Sequence, residues 1–319
     1  MIPEPDVDRA YNVRATVPAR VFDENMRLYR TLSGAAVAGL RGHANLVYDR
    51  PSGERLDVWG VGDRPRPVFV FVHGGYWRAL SRQDSAFMAR MLDANGIATV
   101  AVDYTLAPGA PLEEIVRQVR AAVAFVHREG DRYGLDPARV VVGGSSAGGH
   151  LTGMLMLDDW QEALGLPQDV VKAALPISGL FDIRPLVRSF ANEWLGLDDV
   201  RAADLSPALR LPGRRPPAVF AVAEHDGSGF LDQSTRFQRD WGPGSALLVV
   251  PDVHHYDIVL ELTRQDSVLS RALLDLFTPL RRPCGPPVPQ MVDAGDRLRR
   301  VRRDDDQLVR RRSRIRPDQ

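Results

Sequence analysis

The chain has 319 residues, 44% hydrophobic and 26% charged, enough to bury one large core, or two small ones if a linker divided it; no such linker appears before about residue 280. A single cysteine, Cys284, excludes an internal disulfide framework and a thiolate zinc cluster, and no apolar stretch approaches the roughly 18 residues that span a bilayer. The 41 basic and 41 acidic residues cancel overall, yet from Arg281 onward twelve arginines face six aspartates, which puts +6 in the tail and leaves −6 on residues 1–280.

The start, MIPEPDVDRAYN, lacks the basic and apolar regions of a secretory signal, so a cytoplasmic location is expected. Phe22, Met26, Tyr29 and Ala36 then recur at helical spacing, and the runs 46–48 and 56–59 flank Pro51-Ser52-Gly53 as the arms of a hairpin would. Buried strands are predicted at 67–72, 97–103, 139–142, 173–178, 217–223 and 246–250, each a short apolar run. Helices are predicted between them. One carries Leu112, Ile115, Val116, Val119, Val123 and Val126 on a single stripe and stops at Gly130; another carries Phe87, Met88, Met91 and Leu92 before Gly96; a third carries Leu269, Ala272, Leu273 and Leu276.

This alternation predicts an α/β domain over 1–280, with a mostly parallel central sheet covered by helices on both faces and a small N-terminal helix and hairpin ahead of it. The tail, 281–319, opens on Pro and Gly and holds few apolar residues, so it is expected to be disordered. Asp304-Asp305-Asp306 among its arginines, and its lack of aromatics, argue for a solvated tail over a nucleic-acid arm. The expected partner is a small-molecule substrate, with neither nucleic acid nor membrane involved; the sequence leaves room for a homodimer.

Ligands of such sheets gather at the carboxyl ends of strands. At one of them Val140-Val141-Val142 runs into Gly144-Ser145-Ser146-Ala147-Gly148 and then into a helical pattern. A G-x-S-x-G between strand and helix exposes a nucleophilic serine on a tight turn. Register selects Ser146, because taking Ser145 would put Ala147 where the second glycine belongs. The alternative, a phosphate-cradling turn, lacks both the Lys-Ser/Thr of a P-loop and the dinucleotide glycine spacing.

A nucleophilic serine needs a base and a group that orients it, in the chain order Ser, Asp or Glu, His. Ala223-Glu224-His225-Asp226-Gly227 supplies the acid as Asp226, which stands past the strand and before a glycine; Glu224 and Asp182 are the alternatives. His254 and His255 follow the last strand, and one of them is the expected base, while His225 reads as a loop histidine. Without a third histidine or a cysteine nearby, the pair is a poor metal site, and neither metal nor cofactor is expected.

His73-Gly74-Gly75-Tyr76-Trp77 closes the 67–72 strand. Gly74 and Gly75 suit a loop whose amides join that of Ala147 in meeting an oxyanion. His73 is expected to anchor the loop by hydrogen bonding. Tyr76, Trp77 and Ser145 are the expected substrate-binding residues, with Phe181, Phe190, Trp194 and Phe230 as candidates for an aromatic wall.

The set HGGYW, VDYTLAPGA (102–110), DRYGLDPARVVVGGSSAGGHL (131–151), GLFD (179–182) and AEHD followed by HHYDIV resembles the α/β-hydrolase kynurenine formamidases (arylformamidases) and their esterase relatives over roughly residues 11–280. The resemblance implies an α/β-hydrolase fold, Ser146 as nucleophile, Asp226 as acid, His255 as base, and Gly74 and Gly75 as oxyanion glycines. It further implies cleavage of the N-formyl amide of an aromatic amine such as N-formyl-L-kynurenine through an acyl-enzyme, in tryptophan breakdown or in a biosynthetic pathway that uses the same intermediate. One position departs: before the nucleophile, where the family often has His or Asp, stands Ser145. A carboxylesterase for short-chain acyl esters would use the same residues and remains the alternative.

Overall fold

Strands that are apolar on both sides must be covered on both faces, and the arrangement of this chain follows from that need. The computed structural model describes residues 4–278; the predictions for 281–319, including Cys284, fall outside the described residues. Eight strands form one sheet: β1 Gly42–Asp49, β2 Glu54–Trp59, β3 Arg66–Val72, β4 Ala98–Val102, β5 Leu135–Ser145, β6 Ala173–Ile177, β7 Ala218–His225 and β8 Ser245–His254, in the order β1-β2-β4-β3-β5-β6-β7-β8. β1 pairs antiparallel with β2, and β2 with β4, whereas every pairing from β4 through β3 to β8 is parallel. The expected hairpin is the β1–β2 pair.

Helices α1 Glu4–Tyr11, α2 Ala19–Val37, α3 Ala89–Ala94, α4 Leu112–Glu129, α5 Ala147–Leu155, α6 Asn192–Leu195, α7 Asp199–Asp204, α8 Ser228–Trp241 and α9 Val268–Asp275 complete the described elements, with short 3-10 turns between them. The alternation of β3 assigns the two faces. Val68, Val70 and Val72 point into a cluster with Val119 and Val123 of α4, Leu151 of α5 and Phe237 of α8. Phe69 and Phe71 point the other way, into a cluster with Tyr29 of α2, Met91 and Leu92 of α3 and Leu269 and Leu273 of α9. This is the mostly parallel sheet, covered on both faces, that the sequence pattern predicts.

β3 lies between β4 and β5, so the chain leaves β3 in one direction for β4 and returns on its other side as β5. Strand order reverses there, and loops at the carboxyl ends of β3 and β5 part to leave a crevice. HGGYW follows the one strand and Ser146 the other. The segment from Arg184 to Leu209 shows no long periodic element but a series of short turns and the helices α6 and α7, the latter capped by Asp198, whose carboxylate accepts from Arg201 N at 2.8 Å. Among the described residues no helix is long and apolar enough to cross a membrane.

Candidate active site

Ser146 sits between the last residue of β5 and the first of α5 with φ +57° and ψ −115°. A serine held at positive φ is strained and persists only where the surroundings enforce it. Here they do: Ser146 N donates to Ile177 O of β6 at 2.8 Å, and a Cβ at Gly148 would strike the carbonyl of Val72 in β3. The glycine of the motif therefore lets α5 press against β3, and the turn throws the Ser146 side chain upward from the sheet.

Asp226 follows β7, and His255 follows β8. Asp226 Oδ1 accepts from His255 Nδ1 at 2.8 Å and from the backbone N of Gly227 at 2.7 Å, while its Oδ2 accepts from Ser178 Oγ at 2.6 Å. The Asp226 side chain is wholly buried and that of His255 is 4% exposed. Three hydrogen bonds thus reach the two oxygens of this buried carboxylate, as a buried polar group requires. Because Nδ1 donates to it, the tautomer leaves Nε2 of His255 free to act on the substrate side. Phe230 packs edge-on to the imidazole at 4.6 Å between ring centroids.

The other candidates lie elsewhere. Glu224 is exposed and accepts from Asp252 N at 2.9 Å, and Asp182 pairs with Arg184 at 2.6 Å. His254 is occupied in its own turn, its Nδ1 accepting from the amides of Tyr256 and Asp257 at 3.2 and 3.3 Å. Ser178, which supports the acid, was not singled out by the sequence; it too has positive φ, +46°, just past β6. Its position at a strand carboxyl end was the one available signal. Glu224, His225 and Asp252 bring ligand atoms within 4.8 Å of one another, and all three residues are exposed.

HGGYW folds against the serine. A Cβ on Gly74 would fall 2.7 Å from the carbonyl oxygen of Ser145 and 3.3 Å from Ser146 Cβ, so only glycine brings this backbone so near Ser146. Ala147, as the first residue of α5, has an N–H with no partner inside the helix. His73 anchors the loop as expected: its Nδ1 donates to Gly74 O at 3.0 Å and its ring stacks on Tyr104 at 4.1 Å. Tyr104 OH in turn reaches the carbonyls of His73 and Gly74 at 3.1 and 3.2 Å. Burial pushes the His73 pKa down, which keeps the ring neutral. Beyond the loop, the largely buried guanidinium of Arg82 is held by Asp57 at 3.0 Å and by Asp103, and Arg82 N donates to Asp103 at 2.6 Å. These contacts tie the segment after the loop to β2 and to the end of β4.

A cavity of about 420 Å³ opens over Ser146 and His255, within the range of small-ligand sites. Its floor includes His73, Gly74, Gly75 and Ser145, and its walls include Phe71, Tyr76, Phe87, Trp194 and Tyr256. Phe22, Met26 and Tyr29 of α2 close one side, docked by a hydrogen bond from Tyr29 OH to Tyr256 O. Tyr76 OH similarly donates to Tyr11 O, and burial raises the pKa of both phenols, which keeps them protonated donors.

Two expectations about this wall differ from the structure. Trp77 does not line the cavity: it is fully buried, edge-on both to His150 at 5.1 Å and to Tyr76 at 6.1 Å, and both Tyr76 (+50°) and Trp77 (+57°) have positive φ. Phe181 and Phe230 are core residues, and Phe190 stands behind Tyr76 at 5.4 Å, which leaves Trp194 as the one of the four candidates that lines the cavity. Ser145, 9% exposed, and Tyr76 do line it.

Residues 60–238 match the BD-FAE family model. The chain is 32% identical over 244 residues to a kynurenine formamidase of Salmo salar, an alignment that spans 73% of this chain and 81% of that protein. It is 34% identical over 214 residues to the esterase LipC of Mycobacterium tuberculosis, spanning 60% of this chain and 53% of that one. Among solved structures, the thermostable carboxylesterase EstE1 from a metagenomic library superposes with a TM-score of 0.64 at 20% identity, covering 82% of this chain and 98% of that one. At that identity the likeness concerns the fold.

Proposed function

The chain belongs to the BD-FAE family of α/β hydrolases and, by its kinship with kynurenine formamidases and esterases, is a serine hydrolase; we propose that it cleaves the N-formyl amide of an aromatic amine, N-formyl-L-kynurenine above all. The observation that carries the reading is the buried 2.8 Å contact between His255 and Asp226 beside a strained Ser146 in one aromatic-walled cavity. In the proposed reaction His255 Nε2 takes the Ser146 proton as Oγ attacks the formyl carbon. The imidazolium that results is stabilised by Asp226, and the oxyanion is met by the amides of Ala147 and the Gly74-Gly75 loop. His255 then protonates the departing aniline nitrogen, and water repeats the sequence on the formyl-enzyme to release formate.

A formyl group needs almost no acyl pocket, whereas the aromatic amine needs a broad apolar wall; the aromatic cavity supports that division. The direct test is release of formate and amine in equal amounts from N-formyl-L-kynurenine by the purified protein, lost in Ser146→Ala. The second reading is a carboxylesterase of short-chain acyl esters, which the similarity to LipC favours. Location and assembly are proposed from the sequence alone: a cytoplasmic protein acting on a small molecule, with room for a homodimer.

A further inference from the structure

Two arginines stand at the mouth of the cavity, and each is oriented by an aromatic ring that also lines it. The guanidinium carbon of Arg14, on the turn between α1 and α2, lies 4.4 Å from the ring centroid of Phe22; that of Arg78, just past HGGYW, lies 4.2 Å from the ring centroid of Trp194. Stacking fixes the plane of a guanidinium and leaves N–H groups at its edge to face outward, the geometry that takes a carboxylate with two parallel hydrogen bonds. Arg14 Nη1 makes one long bond, 3.4 Å, to Val17 O. Among the described residues no carboxylate lies within ion-pair distance of either arginine.

The contrast with the rest of the cavity is chemical. Its one lining carboxylate, Asp84, is already engaged by Arg30 at 2.6 Å and by Ser81 Oγ at 2.8 Å, so it does not neutralise the mouth. Residues 1–280 carry a net −6, and against that background two cations without acidic partners create a local positive rim. Such a rim draws an anionic ligand in and orients it.

We propose that Arg14 and Arg78 form an anion subsite, and that the preferred substrates carry a carboxylate on the leaving-group side of the scissile bond. The inference rests on the reading of this cavity as the place of acyl transfer and adds the charge of the substrate to it. Because the acyl part is small, the remainder of the substrate extends from Ser146 along the aromatic wall, and a carboxylate at its far end meets the two guanidinium edges.

The test compares kcat/KM for N-formyl-L-kynurenine and for its carboxamide, which share every atom near the reaction and differ in the charge at the far end. The same comparison is made for a pair of aryl esters, 3-acetoxybenzoate and 3-acetoxybenzamide. The wild-type protein prefers the acid of each pair it cleaves, the preference shrinks with added salt, and in the double variant Arg14→Gln/Arg78→Gln the acid-to-amide ratio falls by about tenfold or more, as for the loss of charge-assisted contacts at a rim. Arg132→Gln, remote from the cavity and paired with Glu129, leaves the ratio where it was. A wild-type ratio near one, or a ratio that the double variant does not change, overturns the subsite. If only the ester pair is cleaved and shows the ratio and its loss, the subsite stands while the formamide reading falls. If formamides are cleaved without preference, the reverse holds.

Discussion

Ser178 Oγ donates to Asp226 Oδ2 at 2.6 Å while His255 Nδ1 donates to the other oxygen at 2.8 Å. The hydroxyl thus holds the carboxylate in the plane that the imidazole needs. Ser178→Ala is expected to lower kcat by about tenfold with little change in KM, the effect of removing one hydrogen bond to a charged group. Steady-state kinetics check it, and an effect on KM alone would contradict a positioning role.

His254 and His255 are adjacent, but their surroundings give them different work. His255→Ala is expected to cost roughly four orders of magnitude in kcat, as for loss of a triad member. His254→Ala loosens the 254–257 turn and is expected to cost at most about tenfold, since it removes hydrogen bonds remote from the reacting atoms. Parallel assays of the two variants decide the matter; the reverse ranking would show that the wrong imidazole had been chosen.

Gly74 approaches Ser146 so closely that a methyl group meets the Ser145 carbonyl at 2.7 Å. The backbone must then move, and with it the amides proposed to meet the oxyanion. Gly74→Ala is expected to lower kcat by about 100-fold, the scale of losing one oxyanion donor. Thermal unfolding of the same variant separates this from global damage: a fold that still melts cooperatively with kcat near wild type would sink the assignment.

His150 is fully buried, its Nε2 donates to Leu205 O at 2.8 Å, and desolvation drives its pKa from 6.5 to about 4. The unfolded chain therefore binds a proton that the folded chain refuses between those values. Stability is at its full value above pH 6.5 and falls as the pH drops toward 4, by about 3 kcal/mol from this group. Burial lowers the His73 pKa as well, which acts in the same direction. His150→Gln, which keeps a donor but does not titrate, is expected to flatten the dependence of the urea midpoint between pH 7 and pH 5. An unchanged slope would show that His150 is not its source.

Much of this architecture is legible in the chain because strands buried on both faces announce themselves as unbroken apolar runs, and because a strand-to-helix serine turn needs its glycines at fixed places. Ser146 stands where register put it, and Asp226 lies past its strand and before Gly227, as expected. What was not legible depends on backbone direction or on contacts between distant segments. Trp77 reads as a neighbour of the oxyanion loop, yet it is buried in the core, packed edge-on against His150. Ser178 is one serine among many until β6 places it under Asp226. The wall made by Phe22, Met26 and Tyr29 has ordinary helical spacing in sequence; nothing in that spacing says that α2 would close the cavity.

The most direct measurement is kcat/KM of the purified protein on N-formyl-L-kynurenine and on p-nitrophenyl acetate, with Ser146→Ala as the blank. The formamide is expected to be preferred by orders of magnitude, and both activities to vanish in the blank. Cleavage of the activated ester alone would remove the formamidase assignment and leave an esterase, and activity that survives in Ser146→Ala would contradict the nucleophile itself.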